Sequence, residues 1–195
     1  MRGTGGAGVN EDDILRDLRA RREDPATRGG SVGDSEPPRL YVPATPGAIQ
    51  QAEGTLGFPL PRFLGRVLGE VGNGGFGPGY GLLGLSGGHD WDGSSLVELY
   101  LQWRSEGWRE QVLPLCDWGC AIWSCVDQDG NVITAAQRAC TLTRFTLPGL
   151  LAAWVEGVDL LAEMFESGQR TIINPFTRRP MSIKTQGRAK GRPLE

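Results

Sequence analysis

The apolar positions change period along the chain, from helical spacing to strict alternation and back, and the changes mark its elements. Between Asn10 and Asp24 only Ile14, Leu15 and Leu18 are apolar, a narrow stripe on a short helix that Asn10 is placed to cap. Glu11, Asp12 and Asp13 stand at its positive end, and Arg19, Arg21 and Arg22 at its negative end. So small a face cannot hold an isolated helix, so the element either packs weakly on a body or forms a mobile arm. Pro25 to Leu40, with Pro37, Pro38, Gly29, Gly30 and Gly33, has no period and reads as a linker. At Thr45-Pro46 a cap and an N1 proline open a helix carrying Ile49, Ala52 and Leu56, which Gly57 stops. Pro61 opens a second, with Phe63, Leu64, Val67, Leu68 and Val71 in one stripe.

Alternation follows. A glycine-rich loop, residues 72–81, leads to a short strand expected around Tyr80 to Leu85, and Asp92 is placed to cap a third helix through Arg104. Val112 to Leu115, Cys120 to Asp127, Asn131 to Ala135 and Thr141 to Phe145 read as strands, the middle two joined by an Asp129-Gly130 turn. A last helix from Thr146 to Phe165 places Leu151, Trp154, Val155, Val158 and Leu161 over one sheet face. The fold class is therefore α+β: two helices opening the body, a mainly antiparallel sheet of about four to five strands, and a C-terminal covering helix. The expected divisions are 1–44, helix and linker; 45–166, the domain; and 167–195, a basic extension.

Composition narrows the function classes. The chain has 195 residues, 39% of them hydrophobic, enough for one core. Its four cysteines are too few for a disulfide-stapled secreted module and no signal-like segment opens it, so a cytoplasmic location is expected. No apolar run approaches the ~20 residues a bilayer span requires, so no membrane partner is expected. Net charge is −3, which disfavours nucleic acid as partner of the whole chain. Cations crowd the tail, at Arg178, Arg179, Lys184, Arg188, Lys190 and Arg192, where a solvated terminus is the plain reading.

Several motifs suggest chemistry and lose it on inspection. Gly84-Leu85-Ser86-Gly87-Gly88 spells a nucleophile elbow, yet His89, the sole histidine, stands three residues from the serine, too near to fold over it as a base. Gly72 to Gly77 spells a dinucleotide fingerprint but follows a helix and leads to a strand, the reverse of the required context. Asp127 to Asn131 resembles a calcium loop, but Val132 and Arg138 occupy its glycine and glutamate positions. Cys116, Cys120, Cys125 and Cys140 lack zinc spacing and read as buried small hydrophobes. No catalytic residue, metal or cofactor is therefore expected.

The six tryptophans carry more. Trp123 and Trp154 fall on apolar faces, while Trp91, Trp108 and Trp118 fall in loops beside Asp90, Asp92, Glu106, Glu110 and Asp117. Tryptophan rimmed by carboxylates suits a protein-binding surface, and Trp91, Asp92, Trp108, Asp117 and Trp118 form the expected contact set. Closure of the sheet ends is the competing role for these indoles.

The run from Ile49 through Glu53, Leu56-Gly57 and Leu60-Pro61, then Phe63, Leu64 and Asn73-Gly74-Gly75, resembles the opening of the SUKH superfamily, the Smi/Knr-like domains. Leu113-Pro114-Leu115 and Asp129-Gly130-Asn131-Val132 are similar to its later segments, so the resemblance covers Thr45 to Phe165. Within this motif Glu53, Gly57, Pro61, Asn73 and Gly74 are expected to be structural. The resemblance implies a non-enzymatic binding domain. In bacteria it points to an immunity protein that neutralises a toxin encoded nearby, often a nuclease or deaminase; the alternative is a regulatory scaffold that recruits signalling or cell-wall proteins.

Overall fold

In a computed structural model of the chain, residues 10–24, 27, 39–136, 139–173 and 180–194 are described. The expected linker falls almost wholly outside them, as do Asn174-Pro175-Phe176, Arg178, Arg179 and the side chain of Lys184 in the tail. The Asn10 side chain accepts from the Asp12 N–H and opens α1 (Glu11–Glu23). This helix is docked: Ile14, Leu15 and Leu18 are buried, and the helix packs against the Leu147–Val155 helix and the Val67–Val71 turn. Ion pairs clamp the same helix from outside. Arg66 reaches Glu11 at 3.1 Å and Asp12 at 2.6 Å, while Arg19 meets Glu70 at 3.0 Å.

Thr45 caps α2 (Pro46–Leu56) through the Ala48 N–H, and Gly57 ends it at φ 80°. The second body helix starts as α3 (Arg62–Arg66) and widens into a π-helical turn over Val67–Val71, still burying Val67, Leu68 and Val71. The expected strand at Tyr80 to Leu85 is instead an extended segment beside the sheet. Its Tyr80 and Leu83 N–H groups bond Asp117 and Leu115, but Leu82 pairs back into the glycine loop through Phe76 and Gly75, so no ladder continues. Ser95, not Asp92, caps α4 (Leu96–Ser105): its hydroxyl accepts from the Glu98 N–H and the Glu98 carboxylate accepts from the Ser95 N–H at 2.8 Å.

The sheet is antiparallel, in the order β1 (Leu113–Asp117), β2 (Ile122–Val126), β3 (Asn131–Ala136), β4 (Ala139–Thr146) and β7 (Arg192–Leu194). The turn between β2 and β3 is closed by Asp127, which accepts from the Asn131 N–H at 2.8 Å and side-chain amide at 2.9 Å, so the calcium-like segment is a hairpin. The covering helix is broken. Thr146 caps α5 (Leu147–Val155), Gly157 turns the chain at φ 77°, and Asp159 caps the short α6 (Leu160–Met164). A two-stranded sheet, β5 (Phe165–Ile173) with β6 (Pro180–Ala189), follows, and the chain returns to lay β7 on β4. Part of the expected basic extension is therefore the fifth strand.

One core unites these layers, from Leu15 and Leu18 through Leu64 and Leu68 to Leu113, Val126 and Leu150. Cys116 and Cys125 belong to it, whereas Cys120 is exposed and Cys140 half-buried, so only two of the four cysteines pack as apolar filling.

Candidate functional site

Asn73 organises the loops on which the site stands. Its buried carboxamide accepts the Leu85 N–H at 2.7 Å and donates to the carbonyls of Leu85 at 3.3 Å and Ser86 at 3.4 Å. A Cβ at Gly74 would stand 2.4 Å from the Leu82 carbonyl oxygen, and one at Gly88 2.3 Å from that of Asn73, so both must be glycine. The whole 72–79 loop is buried, which leaves no space for a phosphate. Glu53 is structural too: its carboxylate accepts the Leu60 N–H at 2.9 Å and joins the end of α2 to the Pro61 corner.

Ser86 is exposed in the loop that Asn73 holds, not on a strand-to-helix corner. His89 is half-buried beside Tyr41, 5.9 Å between rings. Burial lowers its pKa, partly offset by Asp90 and a hydrogen bond with the Tyr80 backbone. Burial likewise pushes the Cys116 thiol up to about 12, far from a thiolate nucleophile.

Four indoles converge at one end of the sheet. Trp103 on α4 meets Trp123 of β2 at 5.1 Å and 87°, and Trp108, from the loop after α4, at 5.0 Å and 69°. Trp91 meets Trp123 from the other side at 5.5 Å and 74°. These are edge-to-face contacts, each worth roughly 0.5–1.5 kcal/mol beyond burial. The indole N–H groups are also placed: Trp108 donates to the Val112 carbonyl at 2.7 Å, and Trp91 to the Asp117 carboxylate at 3.2 Å. Beside this cluster opens a groove of about 820 Å³, lined by Trp103, Trp108 and Trp123, by Ala135 and Leu194, and by the charged pair of neighbours Glu106 and Arg109.

Of the contact set expected from sequence, Trp91, Asp92 and Asp117 lie together. Trp91 and Ser94 exchange two 2.9 Å backbone bonds around Asp92-Gly93, whose φ values of 52° and 79° make a tight primed turn that presents the Asp92 carboxylate. Trp108 lines the groove and packs edge-to-face on Trp103. Trp118 is different: it is 5% exposed and donates to the Ser124 hydroxyl at 2.9 Å, inside the sheet near Met164. The reason is local. Trp118 N–H bonds Ile122 and Ile122 N–H bonds Gly119, a turn that folds the indole inward, so it packs and offers a partner almost no surface. Trp123, read from sequence on an apolar face, and Trp103, on the third helix, line the groove; nothing in the sequence gives the register that brings them together.

No curated protein and no solved structure matches the chain. A family model does match, over residues 43–146, which includes the Asn73 lock, α4 and four strands of the sheet. With more than half of its length matched, the chain belongs to the SMI1 / KNR4 family (SUKH-1).

Proposed function

We propose that the chain is a non-catalytic, cytosolic immunity protein that binds a toxin domain encoded beside it, such as a nuclease or deaminase, and blocks it. The observation that carries this reading is the groove lined by three indoles with Glu106 and Arg109, joined to the exposed Asp92 turn through the contact of Trp91 with Trp123. Membership of the family supports a binding role. Charge supports the kind of partner: residues 45–166 hold 14 carboxylates against 6 arginines, an acidic field that attracts a basic, nucleic-acid-handling protein. Trp91, Trp108, Asp92 and Asp117 are the contact residues, with Trp103 and Trp123 as their support.

The test is co-expression of this chain with the toxin domain of the adjacent gene. Growth rescue and a one-to-one complex on gel filtration are expected for the native chain, and both should weaken in Trp108→Ala, Glu106→Arg and Asp92→Arg. Unchanged rescue in all three would sink the surface assignment; no rescue, with several regulatory proteins bound instead, would turn the reading to a scaffold.

A further inference from the structure

The basic segment after α6 is a ribbon, not a solvated coil. β5 and β6 pair antiparallel from Phe165 with Ala189 to Ile173 with Pro180, and at about 3.3 Å per residue the pair is about 30 Å long. It is rooted at one end. Among the described residues α6 is the body element it chiefly packs against, and Lys190 ties its exit back there, N–H to the Met164 carbonyl and Nζ to the Ala162 carbonyl, both at 2.7 Å. The register sorts its positions. Ser167, Gln169 and Thr171 stand opposite Gln186, Lys184 and Ser182, and by the two-residue period of a strand these six positions share one face. All six are hydrogen-bonding residue types. Arg170, Ile172, Met181 and Ile183 fall on the other face, where aliphatic types suit pairing within the ribbon.

Its charge has one sign. Residues 167–194 hold seven cations and no carboxylate; of these, Arg170 and Lys184 stand on the ribbon, and Arg188 and Arg192, at its root, are exposed. A surface with cations and no compensating carboxylate suits a polyanion, and two strands about 5 Å apart have a width that the ~12 Å major groove of a DNA duplex admits. We propose that the β5–β6 ribbon is a docking site for duplex DNA, its polar face laid along the groove and its cations on the phosphates. The net charge of −3 belongs to the whole chain and does not oppose this. The far half of a ribbon about 30 Å long stands beyond the ~8 Å over which the body's carboxylates act at physiological salt. Phosphate contacts carry no base code, so salt sets the affinity more than sequence does. The inference is independent of the immunity reading, because the acidic loops and the tryptophan groove lie outside the ribbon.

The probe is a fluorescent 20-base-pair DNA duplex of mixed sequence, titrated with the full chain and read by anisotropy from about 0.02 to about 0.2 M salt. Affinity should fall steeply with salt, each cation on a phosphate adding about 0.9 to the logarithmic slope. The double variant Arg170→Gln/Lys184→Gln should bind at least about tenfold more weakly at the low-salt end, with a slope shallower by about 2. Arg16→Gln/Arg62→Gln removes the same two charges from exposed positions on the body and should bind as the native chain does. So should the charge-preserving Arg170→Lys/Lys184→Arg, which separates lost charge from a disturbed ribbon. No retention of the duplex at 0.02 M salt overturns the proposal, and so does an equal loss in the ribbon and body variants. Binding of a single strand as tight as the duplex overturns the groove. Salt-sensitive self-association with no duplex bound would name the acidic loops of a second copy as the occupant and overturn the DNA assignment. Growth rescue should be intact in the ribbon variant, so either reading can fail while the other stands.

Discussion

The carboxamide of Asn73 is used on both sides, accepting from Leu85 and donating to two carbonyls. Asn73→Ala leaves a buried N–H without a partner and should cost about 2–4 kcal/mol in urea unfolding, from about 1–3 for the orphaned group plus the lost bonds. Trp118→Ala should cost about 3–5 kcal/mol by the same measurement, as buried aromatic truncations do. Trp91→Ala, at a residue 42% exposed, should cost far less while weakening the partner complex. His89 sets a pH dependence. Its pKa in the fold lies below the ordinary value of about 6.5, so the unfolded chain binds the proton more readily. The stability this contributes is present above pH ~6.5 and is lost as pH falls towards the folded pKa; thermal melts across that range should show the slope, and His89→Asn should flatten it. At this scale the spacing of a glutamate, an asparagine and glycines pointed to turns and caps, and Glu53 bonds the Leu60 N–H while Asn73 bonds the Leu85 N–H. Trp118 was not, because nothing in its neighbours announces the turn at residues 118–121 that reverses the side on which the indole falls.

Helices and strands were easier to read than their ends. The stripes on α2 and on α3 with its π-turn, and the four strands of the meander, come from periodicity that tertiary contacts reinforce. Their limits depend on single side chains. Ser95 with Glu98 three residues on is a capping box visible in the sequence, yet Asp92 competed for the same duty and lost, because Asp92-Gly93 is consumed by a tight turn. Gly157 and Asp159 likewise end one covering helix and start another inside a continuous apolar pattern. Docking of α1 was out of reach, since three apolar residues say nothing about what they meet. Leu18 is fully buried, so Leu18→Ala should lower stability by about 2–4 kcal/mol. Arg16, which pairs with Asp13 and Asp17 at the exposed surface, should tolerate alanine with no measurable loss in the same urea titration.

Across the whole molecule charge is segregated, acidic over residues 45–166 and basic over the tail, and this was plain from the sequence. Its geometric meaning was not, because a three-residue strand bearing a proline carries too weak a pattern to place on a sheet edge. If the partner is basic, raising salt from about 0.05 to about 0.5 M should slow association steeply and change dissociation little, as stopped-flow mixing would show. The linked indoles carry one more consequence. Trp91, Trp123, Trp103 and Trp108 form an unbroken chain of near-perpendicular rings 5.0–5.5 Å apart, spanning the Asp92 turn, the sheet and the end of α4. Transitions in rings so close and so tilted couple excitonically, so the native protein should show a strong paired band in its circular dichroism near the indole absorption. Any occupant that wedges two of these rings apart would split or erase that band, and the chain thus carries its own optical report of what enters its groove.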